Sequence, residues 1–159
     1  MKIQICCVGK IKEDYFNGAI REYGKRLSRY CKLEITETAD EKTPDGASPA
    51  LEEQIKEREA ERLLKVLKED AFVCVLAIDG KMLDSVELSQ TIEKLAIDGN
   101  SHIQFVIGGS LGLHDSVLKR ADMKLSFSKM TFPHQLMRVI LLEQIYRAYR
   151  ILRKEPYHK

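Results

Sequence analysis

No stretch of this sequence is apolar for long enough to span a bilayer, and its N-terminus lacks the apolar core and small-residue cleavage site of a signal peptide. Both absences point to a protein of the cytoplasm with no membrane partner. Cysteine is sparse as well. The four present form no C-x-x-C pair and no Cys/His ligand spacing, so neither a disulfide framework nor a metal site is expected. Cys6 and Cys7 are neighbours in a predicted strand and so point to opposite faces, while Cys31 and Cys74 stand alone. All four read as buried free thiols.

The signatures of phosphate binding are missing too. No G-x-x-x-x-G-K-[ST] spacing occurs, and no lysine follows the glycines where it would meet a phosphate. A dinucleotide fingerprint would follow the first strand, where Gly9 stands alone. A Rossmann-like nucleotide enzyme is therefore disfavoured.

What is there suits one soluble domain over residues 1–159, with 44% hydrophobic and 31% charged residues. The net charge is only +2, but residues 32–100 carry −8 and the remainder +10. If the fold gathers both termini on one side, that face attracts a polyanion; scattered charges on a neutral surface fit the same composition.

Strands are expected at Lys2–Val8, Lys32–Thr38, Ala71–Ile78, Ile103–Ile107 and Lys124–Phe127. Asp79-Gly80 is expected to end the third. Helical periodicity covers Glu13–Arg29, the stretch from Pro49 to about Lys68 behind a Ser48 N-cap, and a stretch stopped by Gly99 that opens with an Asp84/Glu87 capping box. A short helix near Asp115–Lys119 and a long one from Gln135 to about Lys154 complete the chain. Alternating strands and helices imply an α/β fold, a mainly parallel sheet with helices on both faces.

Two loops after strands dominate the last third. Gly108-Gly109-Ser110-Leu111-Gly112 follows Phe105-Val106-Ile107, and Ser128-Lys129-Met130-Thr131-Phe132-Pro133-His134 follows the fifth strand. Alone, the glycines fit a tight turn as well as a ligand loop. Together, the loops offer backbone groups, hydroxyls and aromatics without a phosphate cluster, at the sheet edge where ligands bind in open α/β folds. An adenosine ligand lacking phosphates suits such a pocket.

Three long motifs carry a resemblance. They are Val106-Ile107-Gly108-Gly109-Ser110-Leu111-Gly112-Leu113-His114, Leu125-Ser126-Phe127-Ser128-Lys129-Met130-Thr131-Phe132-Pro133-His134, and Glu143-Gln144-Ile145-Tyr146-Arg147-Ala148 with the terminal Tyr157-His158-Lys159. Ile5-Cys6-Cys7-Val8-Gly9-Lys10-Ile11-Lys12 and Glu22-Tyr23-Gly24-Lys25-Arg26-Leu27 extend it over the whole chain. The sequence closely resembles the ribosomal large-subunit methyltransferase H family, of the SPOUT class.

The resemblance implies S-adenosyl-L-methionine as cofactor and N3 of a pseudouridine in the helix 69 loop of 23S rRNA as methyl acceptor, with the assembled ribosome as the expected substrate. It also implies a homodimer and a C-terminal trefoil knot, an exception to the rule against threading. Cofactor contacts carry over to Leu76, Gly108, Phe127, Ser128, Lys129, Met130, Thr131 and Phe132. His158 is the candidate acceptor of the N3 proton, with Tyr157 beside it and Lys159 or Arg153 as electrostatic stabiliser. His134 is the rival, and a frayed terminal tail is the plainer reading of Tyr157-His158-Lys159. Arg147, Arg150, Arg153 and Lys154 share one side of the last helix and, with Tyr146, Tyr149 and Tyr157, fit phosphate contacts and base stacking. Arg138 and Glu143, within the apolar body of that helix, are assigned to a dimer interface. An RNA- or ribosome-binding module without chemistry remains the alternative.

Overall fold

Strand β1 (Lys2–Val8) alternates its side chains between two faces, and every residue after Lys2 is buried. A strand buried on both faces must be central in its sheet. The computed structural model, which describes all 159 residues, places it there. After it come α1 (Asp14–Leu27), β2 (Lys32–Thr38), α2 (Pro49–Val66), β3 (Phe72–Met82), α3 (Ser85–Ile97), β4 (His102–Ile107), α4 (Asp115–Arg120), β5 (Met123–Ser126) and α5 (His134–Leu152). The sheet order is β2-β1-β4-β3-β5, and every pairing is parallel.

Period-two alternation divides the core. Ile3, Ile5, Cys7, Ile103, Phe105 and Ile107 face the layer of α1, α3 and α5. Cys6, Val8, Val73, Val75 and Val106 face Ala60 and Leu63 of α2 and Val117 of α4. Cys6 and Cys7 thus lie in opposite layers, and burial pushes both thiols up to about 12, which leaves them protonated and inert. Local signals hold as well. Ser48 Oγ accepts from Leu51 N at 3.2 Å, and the Asp84/Glu87 capping box is complete.

The third strand departs from expectation. It does not end at Asp79-Gly80. It pairs with β5 at Cys74–Leu76, bulges, and pairs again at Lys81 and Met82. Gly80 makes this possible, because a Cβ there would lie 2.8–2.9 Å from the backbone of Lys124 and Leu125. The bulge turns residues 77–79 toward the carboxyl edge of the sheet, beside the ends of β4 and β5.

Helix α5 buries Leu141, Leu142, Ile145, Ala148 and Tyr149 at helical spacing between α1 and α3. One turn from its start sits Arg138, 2% exposed, donating to Glu37 Oε2 at 2.7 Å and to the Gly9 carbonyl at 3.1 Å. The expectation that Arg138 serves a dimer interface is therefore corrected. It is spent inside its own chain, tying α5 to the carboxyl ends of β1 and β2.

Removing one partner of a buried pair leaves an uncompensated charge. Glu37→Ala is expected to cost about 2–3 kcal/mol, below the usual range for buried pairs because the Glu37 side chain is 34% open. Glu34→Ala, which breaks the more exposed Lys2–Glu34 pair in the same strand, is expected to cost under about 1 kcal/mol. Urea unfolding of the two variants checks the difference; equal losses would deny Arg138 its anchoring role.

Candidate functional site

The adjacent carboxyl ends of β4, β3 and β5 enclose a cavity of about 870 Å³. Its wall comes from the β3 bulge, residues 107–113 at the end of β4 and after it, and residues 125–128 and 130–135 around the β5 loop, with Leu118 of α4 and Met137 of α5. Apolar side chains supply much of the lining, and no lysine or arginine takes part. Asp79 stands exposed on the rim. Seven of the residues expected to touch a cofactor line this space: Leu76, Gly108, Phe127, Ser128, Met130, Thr131 and Phe132. Lys129 does not; it is exposed and outside the wall.

Both loops are built to hold shape. Gly112, at φ +85°, closes a tight turn in which its N–H donates to the Gly109 carbonyl at 3.1 Å. A Cβ on Gly108 would sit 3.0 Å from Gly112 C and from Leu113 Cδ2. The glycine is thus required first by the loop's own packing, in addition to any ligand approach. In the second loop Ser126 Oγ donates to the Ser128 carbonyl at 3.1 Å, and Met130 N–H donates to Ser128 Oγ at 3.0 Å.

His134 closes the wall at the first turn of α5. It is half-buried, its Nδ1 has no hydrogen-bond partner, and it packs beside Gly9. Burial, reinforced by the Arg138 charge, holds its pKa below the ordinary 6.5, so the ring is neutral at pH 7.

The C-terminal residues lie elsewhere. His158 is held at Arg147, about thirteen residues along α5 from His134, or roughly 20 Å at 1.5 Å per residue. The tail is not frayed. Lys154 adopts φ 54°, and the Lys154 and Glu155 N–H groups donate to the carbonyls of Ile151 and Arg150, turning the chain back along the helix. Tyr157 donates its hydroxyl to Glu143 Oε1 at 3.0 Å and meets the Tyr146 ring edge-on at 4.9 Å. Burial, then Glu143, pushes the Tyr157 phenol up to about 12. Arg147 lies over the Tyr157 ring at 4.7 Å, and its Nη1 reaches His158 Nδ1 at 3.2 Å. Glu143, expected at a dimer interface, is the hub of this cluster. No single chain brings His158, Tyr157, Lys159 or Arg153 to the cavity.

The basic stripe divides in two. Arg147 pairs with Glu143, and Arg150 pairs with Glu155 while donating to the Pro156 carbonyl at 2.8 Å, so both are fold components. Tyr146 and Tyr149 are buried and unavailable for base stacking. Arg153 and Lys154 remain exposed without an ion pair, as do Arg21 and Lys25 of α1 and Arg29 in the turn after it. Arg29 and Arg153 both lie against the Tyr30 ring, at 5.5 and 5.4 Å, which joins the α1 ridge to the end of α5. Sequence spacing could not separate paired from free cations. The ridge on α1 was visible only as a four-residue repeat, and the β3 bulge only as Asp79-Gly80.

A family model described as Predicted SPOUT methyltransferase matches residues 1–158. The chain is 64% identical over its full length to the Ribosomal RNA large subunit methyltransferase H of Bifidobacterium adolescentis, with all of both chains covered. It is 61% identical, with the same coverage, to the protein of that name from Clostridium botulinum. A solved structure, described as a probable methylase family protein from Haemophilus influenzae Rd KW20, aligns with a TM-score of 0.55 at 13% identity. It covers 99% of this chain and 70% of the other; at that identity the likeness speaks for the fold.

The depressed His134 pKa gives the wall a pH signature. The unfolded chain takes up a proton below about pH 6.5 and the folded ring resists it, so this contribution is full above 6.5 and is lost as pH falls. His134→Gln is expected to flatten the fall in urea midpoint between about pH 7 and pH 5. His102, lowered in the same direction by burial, accounts for its own share, and the double variant should be flatter still.

Proposed function

The chain belongs to the SPOUT methyltransferase family and, within it, to the ribosomal RNA large subunit methyltransferase H family, and from that premise we propose a specific reaction. It methylates N3 of a pseudouridine in the helix 69 loop of 23S rRNA, using S-adenosyl-L-methionine, on the assembled ribosome. The observation that carries this reading is the cavity at the carboxyl edge, with two closed loops, apolar walls and no cation for a phosphate. An adenosine cofactor without phosphates fits that set of groups.

Leu76, Gly108 and residues 127–132 would hold the cofactor, with apolar side chains against the adenine faces and loop backbone at its edges. Bound there, S-adenosyl-L-methionine supplies a methyl group already activated on a sulfonium, so no metal is called for. The protein's part is alignment of the acceptor nitrogen, which can lower a barrier by roughly 7–11 kcal/mol, together with charge management at N3.

We further propose a homodimer with a composite site. Its support is distance: a tail held about 20 Å from its own cavity can act only in the cavity of a second copy. The open edge strand β5 and the exposed Ile78, Met82 and Met130 offer an apolar surface beside the cavity for that copy. The family's trefoil knot, in which the C-terminal segment threads a loop, is part of the same proposal, as is the treatment of residues 1–159 as one domain on one sheet. Arg153, Lys154 and the α1 ridge are assigned to phosphates. The assembled ribosome is the proposed substrate because residues 1–159 form one sheet with its helices and present no separate RNA-binding unit.

Titration calorimetry with S-adenosyl-L-methionine and methylation of ribosomes lacking the modification test the reading. Gly108→Val is expected to weaken cofactor binding by more than tenfold while the chain stays folded; normal affinity would displace the pocket. Truncation after Pro156 is expected to abolish methylation and spare cofactor binding. Mixed with Gly108→Val chains after subunit exchange, the truncated chains should regain activity, and inactive heterodimers would put tail and pocket in one chain. Arg153→Ala and Lys154→Ala should each reduce the salt-dependence slope of ribosome binding by about one unit, whereas an unchanged slope would make these cations bystanders.

A further inference from the structure

Arginine can only donate hydrogen bonds. The 3.2 Å contact between Arg147 Nη1 and His158 Nδ1 therefore makes Nδ1 an acceptor and puts the ring proton of the neutral imidazole on Nε2. Resting on the methyltransfer reading above, we propose that His158 acts as a hydrogen-bond donor through Nε2–H to the target base, with its tautomer set by Arg147, and not as the base that removes the N3 proton.

The contact is held from behind. Arg147 commits Nε and Nη2 to Glu143 Oε1, at 3.0 and 2.6 Å, and its face to Tyr157, which leaves Nη1 directed at His158. Glu143 Oε2 accepts from Gln144 Nε2 at 2.8 Å, and Gln144 Oε1 accepts from Ser85 Oγ at 2.7 Å, anchoring the chain of contacts on α3. The imidazole's one hydrogen bond is to Arg147, and the charged and titratable groups around the Arg147–Tyr157 pair that carries it are Glu143 of α5 and Tyr23 and Arg26 of α1, with Lys159 next along the tail. None of them accepts a proton from Nδ1. The Tyr157 hydroxyl, already given to Glu143, supplies no base either.

A donor suits the acceptor's chemistry. N3 of a pseudouridine lies between two carbonyls, and its anion spreads negative charge onto both oxygens. Nε2–H bonded to one of them stabilises that anion, in the manner of an oxyanion donor. The N3 proton leaves to solvent water. The N3 electron pair then forms the new bond to the methyl carbon, and the sulfur–carbon bond breaks with its pair going to sulfur. Anion and sulfonium both end neutral, and His158 keeps its proton throughout. Arg147 and Glu143 are positioning residues for this donor.

Long-range proton–nitrogen NMR of the 15N-histidine-labelled homodimer reads the tautomer without substrate. We expect Nδ1 unprotonated and hydrogen-bonded in the native chain, with the Nδ1–H form appearing in Arg147→Met; an Nδ1–H tautomer in the native chain overturns the proposal. Single-turnover methylation of ribosomes supplies the second measurement. His158→Gln, whose amide can donate but cannot serve as a base, should turn over at least tenfold faster than His158→Ala; equal loss overturns the donor role. The native rate should rise about tenfold per pH unit through neutrality and level only where N3 itself titrates, and a plateau near the ordinary histidine range would restore His158 as base. If the native protein methylates no ribosome, the function reading fails and this inference falls with it. If methylation proceeds with the wrong tautomer or a histidine plateau, only this inference fails.

Discussion

A single buried guanidinium governs how the last third of the chain can lie. Arg138 is removed from solvent, and its desolvation is offset only where Glu37 Oε2 and the Gly9 carbonyl meet it together. Those partners sit at the carboxyl ends of β2 and β1, so satisfying them fixes the first turn of α5 at that edge. The β5 loop ends where α5 begins, and its other end is held by the β3–β5 pairing. Fixed at both ends and closed internally by Ser126 and Ser128, the loop becomes a wall of the cavity. His134, between the loop and Arg138, is neutral partly because that guanidinium is near.

The other end of α5 follows a similar logic with a different hub. Glu143 sits within a largely apolar helix, where a lone carboxylate would be costly. It gathers Arg147, Tyr157 and Gln144, and its presence explains why the tail folds back instead of leaving as a loose strand. Arg150 reinforces this by binding Glu155 and the Pro156 carbonyl. Two cations that spacing alone assigned to RNA thus hold the tail, and among the exposed cations without an ion pair are Arg153 and Lys154, with Arg21 and Lys25 of α1.

The sheet, its helices and both cavity loops were legible because each depends on local pattern. Buried alternation marked β1 and β4, Ser48 and Asp84 marked helix starts, and glycine marked the turn after β4. Features that depend on tertiary partners were not. Nothing local tells that Gly80 meets the backbone of β5, so β3 seemed to stop there. Nor could spacing distinguish Arg150, with Glu155 five residues away, from Arg153, which has no carboxylate. Glu143 and Arg138 stood out as polar residues in an apolar stripe, yet Arg138's partners came from distant segments, and Glu143 adds to its helix neighbours Arg147 and Gln144 a tyrosine from a tail that has first to fold back. Lys129 followed its loop by sequence continuity, but it is exposed and does not line the cavity its neighbours line.

Helix α5 also acts as a ruler. Its 19 residues span roughly 28 Å, with the cavity wall at its first turn and the docked tail toward its last. Flexing cannot close that gap, because Arg138 pins one end and the Glu143 and Arg150 contacts pin the other. Loosening the tail to let it swing inward would leave Glu143 without Tyr157 and part the Arg147–His158 contact on which the imidazole's orientation rests. Rigidity of this kind is a handicap for a site within one chain and an advantage for the proposed site between two. In a two-fold arrangement, an antiparallel approach of two such helices sets each tail beside the other copy's cavity without altering either. On the proposed dimer, the contacts that keep His158 from its own pocket would be the ones that present it, already oriented, to the second.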